Sequence, residues 1–123
     1  TESTTAVAQW SLLLLDPALA RPGHAKSFSQ AVDLFEELPV VWDDAHPGRV
    51  DFYYWLPATQ VVERHGGAAW RTWEASLDTL VERQVTDGHA RGSWEPVDPW
   101  SSVGGRVYAT AMLVLTLDVA NSD

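Results

Sequence analysis

The chain has 123 residues, 46% of them apolar, enough for one domain with a modest core and too apolar for a disordered segment. Its net charge of -9, from 17 acidic and 8 basic residues, argues against a phosphate-neutralising nucleic-acid surface and against docking on anionic lipid. The chain has no cysteine, which excludes disulfides, thiolate zinc sites and cysteine nucleophiles.

Apolar spacing predicts five helices and no strand, so the expected class is all-α. The first helix runs from about Thr4 to Asp16, with Ala6, Trp10, Leu13 and Leu14 on one stripe, and Pro17, Pro22 and Gly23 end it. The second runs from about Lys26 to Leu38, with Val32, Phe35 and Leu38 as its stripe. Pro39 stops it, because proline lacks an N–H and clashes with the preceding turn. Val41 to Val50 reads as a polar loop. Asp51 is the expected N-cap of a third helix, FYYWLPATQVVERHGG, in which Pro57 either kinks the rod or marks its true first turn. Gly66-Gly67 ends it.

The fourth helix, Ala68 to Gln84, has the clearest pattern. Trp70, Trp73, Leu77, Leu80 and Val81 fall at three- and four-residue steps. A long loop with Trp94 and Trp100 follows, and Gly104-Gly105 reads as a tight turn. The fifth helix, Val107 to Ala120, is apolar nearly all round, so it is expected to be buried on several sides or to line a cavity. No segment reaches the roughly 20 apolar residues that span a bilayer. A soluble chain is expected; the compartment stays open, with the cytoplasm favoured.

Thr5-Ala6-Val7, Ala58-Thr59-Gln60-Val61 and Ala109-Thr110-Ala111-Met112 repeat one theme at intervals of about 50 residues, with an amphipathic helix in each interval. The unit is then a helical hairpin with an apolar inner helix and an amphipathic outer one. Residues 1–123 make one domain of about two and a half antiparallel hairpins. That is an arc with apolar ends, expected to be a piece of a larger ring. Further repeats of the same protein, or a homo-oligomer, are the expected partners.

These residues resemble the α/α-toroid repeats of squalene-hopene cyclases and protein prenyltransferases. Gln84, Gly92 and Trp94 are similar to the Gln-Trp motif of the triterpene cyclases, with a longer gap between Gln84 and Gly92 than that family uses. Asp51-Phe52-Tyr53-Tyr54-Trp55, Trp94-Glu95-Pro96 and Gly104-Gly105-Arg106-Val107-Tyr108-Ala109-Thr110-Ala111 are similar to strings in bacterial squalene-cyclase-like repeat proteins. The resemblance spans Thr4 to Val119 and implies a toroid fold. Physically, a glutamine at a helix end can satisfy free N–H groups of a neighbouring helix, and a loop tryptophan can cover the hairpin seam.

The chemistry of those families is not legible here. The cyclase acidic cluster needs a separated aspartate before an adjacent pair. Only Asp43-Asp44 are adjacent, and Val41 and Trp42 precede them, so they read as loop carboxylates. The prenyltransferase zinc set needs a cysteine. His24, His46, His65 and His89 form no ligand pair, so no metal or cofactor is expected. No catalytic residue is assigned. The ligand-facing candidates are Tyr53, Tyr54 and Trp55, as an aromatic wall, with Tyr108; Asp51 and Arg106 can pair across the mouth of the ring.

Three functions stay open. The leading one is a non-catalytic toroid segment that packs with further repeats or a partner. The others are part of a terpene cyclase-like enzyme whose acidic motif lies outside this chain, and a carrier of a small apolar ligand.

Overall fold

The structure is a computed structural model, and it describes residues 1–15 and 26–121. The expected end of the first helix at Asp16, its Pro17, Pro22 and Gly23 stop and His24 lie outside these residues. The described chain is helical, without a strand among the described residues: α1 (Glu2–Leu15), α2 (Lys26–Glu37), α3 (Phe52–His65), α4 (Gly67–Ser76), α5 (Asp78–Arg83) and α6 (Ser101–Asn121). One 3₁₀ turn, Pro47–Arg49, sits in the loop before α3.

Helix α3 is the middle of the molecule. It lies between α1 and α6 and packs most extensively against them, while α2 and α4 cover its other side and touch each other. The sequence of α3 explains this place. Phe52, Tyr54, Trp55, Ala58, Val61 and Val62 are all buried, so the helix is apolar around most of its girth. Asp51 caps it as expected, accepting the backbone N–H of Tyr54 at 3.0 Å. Gly66 closes it with φ +72°, a backbone state that glycine enters without a Cβ penalty. Pro57 does not mark the first turn, since α3 already begins at Phe52.

The amphipathic helices bury part of their predicted stripes. Val32 and Phe35 of α2 are buried, whereas Leu38 lies past the helix end and is exposed. Trp73, Leu77 and Leu80 are buried, and Val81 is exposed. The expected helix Ala68 to Gln84 is two pieces, α4 and α5, joined at Leu77. There the N–H of Leu77 bonds to Glu74, and that of Leu80 bonds to Leu77, tightening one turn. In α1, Ala6 and Leu13 are buried, and Leu14 points out.

The start of α6 lies earlier than expected. Hydrogen bonding continues from Ser101, but Gly105 has φ +62° and ψ -155°, so a short turn precedes the straight rod that begins at Arg106. The helix is not buried on several sides. Ala109, Leu113 and Thr116 face the core, while Val103 is 93% exposed, Val107 82% and Val114 50%. By length and composition α6 matches a membrane span, at mean hydropathy 1.3. The break at Gly105 leaves the rod short of the roughly 20 residues a bilayer requires.

Candidate functional site

The N-terminal ends of α1, α3 and α6 enclose an open groove of about 770 Å³. Its walls include Ser3, Asp51, Tyr53, Trp100, Val103 and Tyr108. Tyr53 and Trp100 pair with ring centroids 5.8 Å apart, and they are 43% and 55% exposed. Asp51 forms one edge. Besides capping α3, it accepts the Ser3 hydroxyl at 3.0 Å. Partial burial holds its carboxyl above the ordinary value of 3.8, and the negative charges of Asp98 and Glu2 add to the effect.

The groove gathers three of the six expected ligand-facing residues, Asp51, Tyr53 and Tyr108. The other three are placed differently. Tyr54 and Trp55 are core residues: Tyr54 packs edge-on against Phe35 and Trp73, and its hydroxyl donates to the Leu38 carbonyl at 2.9 Å. Burial pushes that hydroxyl well above its ordinary pKa. Both residues floor a smaller cleft beside Leu38 and Val41, but they offer it almost no surface. In helix geometry, Tyr53 and Tyr54 are 100° apart, so neighbouring aromatics cannot all face one cavity.

Arg106 does not pair with Asp51. It turns to the loop before α6, donating to Glu95 Oε2 at 2.9 Å, to Ser93 Oγ at 2.9 Å and to the Trp94 carbonyl at 3.2 Å. Asp51 finds its donors in Ser3 and Tyr54 instead.

The Gln84-Gly92-Trp94 motif braces its own loop. Gln84 Nε2 donates to the Gly92 carbonyl at 2.9 Å, rather than to another helix. Gly92 takes φ +88°, which lets the loop turn back. Trp94 is fully buried, and its indole donates to the Leu80 carbonyl at 2.7 Å, closing α5 against the loop.

Sequence reasoning missed Asp98. It is 4% exposed and joins three segments. It accepts the Phe52 N–H at 3.0 Å, the Ser101 hydroxyl at 2.5 Å and the Tyr108 hydroxyl at 3.3 Å. The spacing Asp98-Pro99-Trp100-Ser101 is a helix-start signal that could have exposed it, since aspartate caps and proline follows. Burial, and then the Asp98 charge, push the Tyr108 hydroxyl well above its ordinary pKa. Tyr108 therefore stays a protonated donor.

Asp43 and His46 pair at 2.8 Å in an exposed loop, and Asp44 is held by Arg83 at 2.8 Å. No cluster of three or more metal-ligating side chains occurs among the described residues. No protein family, curated protein or solved structure matches the chain.

Proposed function

We propose that this chain is a non-catalytic helical-repeat segment: antiparallel hairpins forming an arc of a squalene-cyclase-like α/α toroid, packed against further repeats or a partner subunit. One observation carries the reading. Central α3 has neighbours on both flanks and is buried around most of its girth, whereas α6, its counterpart in the repeat, has apolar side chains in water at Val107 and Val114 on one face of its rod. Exposed apolar side chains on one helix face favour association. The order α1–α3–α6, with α2 and α4 outside, supports the hairpin arrangement.

Incubation with squalene and with a prenyl diphosphate tests the non-catalytic part. No product is expected. Turnover by this chain alone overturns the non-catalytic reading.

The groove between Tyr53, Trp100, Val103 and Tyr108 favours a second reading, carriage of a small apolar ligand. Its exposed aromatic pair offers a stacking surface that the core does not use. Saturation-transfer NMR with short isoprenoid alcohols separates the two: enhancement that disappears in Trp100→Ala supports carriage.

A further inference from the structure

The groove at the start of α3 does not end at Tyr53. The same ring walls a second hollow of about 170 Å³ between α1, α3 and α6, lined by Val7, Trp10, Leu56 and Met112. Tyr53 and Leu56 are one helical turn apart, so they look out from one side of α3. The two hollows meet at the Tyr53 ring, and together they form a slot with a wide mouth and a narrow apolar tail. Gln60 supplies the only amide side chain of the tail.

The mouth is acidic. Glu2 and Asp51 stand in its wall, and no lysine, arginine or histidine side chain does. Arg106 turns away to Glu95, and Arg49, in the cleft on the other side of Asp51, lies 3.8 Å from Asp43. The α-amino group of Thr1, an exposed residue of the wall, is the one cationic group there. The charges that act on the Asp51 carboxyl, Asp98 and Glu2, are both negative. A cleft lined by one sign of charge concentrates the opposite ion, and the net charge of -9 adds to the pull. Tyr53 and Trp100 give the mouth two exposed rings inclined at 51°, a corner with two π faces. Such faces attract cations, and a methylated ammonium gives up its water for them more readily than a bare ammonium does.

We infer that this slot binds an alkylammonium ion with a single apolar chain, its methylated head in the corner of Tyr53 and Trp100 beside Asp51 and its chain along Val7, Trp10, Leu56 and Met112. The inference rests on the carriage reading of the groove and specifies the ligand, joining a cationic head to the apolar body. The carboxylates of Glu2 and Asp51 repel an anionic amphiphile of the same length.

Isothermal titration calorimetry of the full chain with octyltrimethylammonium, octanol and octyl sulfate, all kept monomeric in solution, tests this. The cation is expected to bind about tenfold tighter than octanol, and octyl sulfate weaker than both. Shortening the cation from octyl to butyl weakens it about twofold per methylene, as for a chain half covered by an open slot. Asp51→Asn, which keeps a capping oxygen, and Trp100→Ala, at an exposed position, each weaken the cation about fivefold, and Trp100→Phe retains most of its affinity. Glu82→Gln, which removes an exposed charge from α5, changes nothing. A loss in Glu82→Gln equal to that in Asp51→Asn reduces the effect to overall charge and overturns the inference, as does a cation affinity independent of chain length. Equal affinity for octanol and the cation, both lost in Trp100→Ala, overturns the cationic head and leaves the carriage reading standing. No binding of any of the three overturns both.

Discussion

The carboxylate of Asp98 accepts the backbone N–H of Phe52 at 3.0 Å, across 46 residues of chain, and so locks the start of α3 to the start of α6. Removing it strands a buried N–H, the Ser101 hydroxyl and the Tyr108 hydroxyl. Asp98→Ala is expected to lose about 3 kcal/mol in urea unfolding, from orphaned donors and a lost cap. Asp98→Asn keeps an acceptor and loses roughly half as much by the same reasoning. An Asp98→Ala midpoint equal to the wild type contradicts this role.

Arg83 holds the loop before α3 in two ways. Its guanidinium lies 5.6 Å from the Trp42 ring centroid and donates to both carboxylate oxygens of Asp44 at 2.8 Å. The pair is exposed, so salt weakens it and its worth is small. Arg83→Ala is expected to cost about 1 kcal/mol, mainly through lost cover of Trp42. Hydrogen exchange then rises at the Ala45 and His46 amides while that of α3 is unchanged.

Gly104 and Gly105 resist substitution for different reasons. Gly105 sits at φ +62° and ψ -155° with open space where a Cβ would go, so Gly105→Ala costs about 2 kcal/mol from backbone strain alone. A Cβ on Gly104 collides with the Tyr108 side chain. The nearest atom is the Tyr108 Cβ, which alanine keeps, so Tyr108→Gly rather than Tyr108→Ala is expected to rescue Gly104→Ala, and it leaves the Gly105→Ala penalty intact. Thermal unfolding of the two double variants reads this directly.

Partial burial raises the Asp51 carboxyl above 3.8, so the folded chain binds this proton more tightly than the unfolded chain. Ionised Asp51 therefore costs stability. The cost is absent below pH 3.8, grows as pH rises to the elevated folded value, and is constant above it. Asp51→Asn keeps a capping oxygen without the charge. Relative to the wild type, it is expected to gain stability between pH 3 and pH 7 in urea titrations. A relative loss over that window contradicts burial as the dominant influence on Asp51.

Much of the helix plan was legible because the apolar spacing of Val32 and Phe35, and of Trp73, Leu77 and Leu80, records the faces they bury. The start of α6 was not. Ser101 and Ser102 carry no apolar period, and the turn depends on Asp98, which comes from the preceding loop. The candidate site was legible in part. Tyr53 and Tyr108 do face the groove, whereas Tyr54 and Trp55 were assigned to it from type alone, although one helical step turns each to a new face. Arg106 was paired with Asp51 because both precede apolar helices. Its reach to Glu95 depends on a loop fold that no spacing rule encodes. The apolar girth of α6 suggested burial, but α3 covers only its Ala109, Leu113 and Thr116 face.

Sedimentation equilibrium of the wild type beside a Val107→Glu, Val114→Glu double variant tests the central claim most directly. Both residues are solvent-exposed, so the variant is expected to keep its fold. If this face of α6 is an interface, the wild type associates as concentration rises and the double variant stays monomeric with the same helix content. A wild type that remains monomeric throughout, indistinguishable from the variant, contradicts the account.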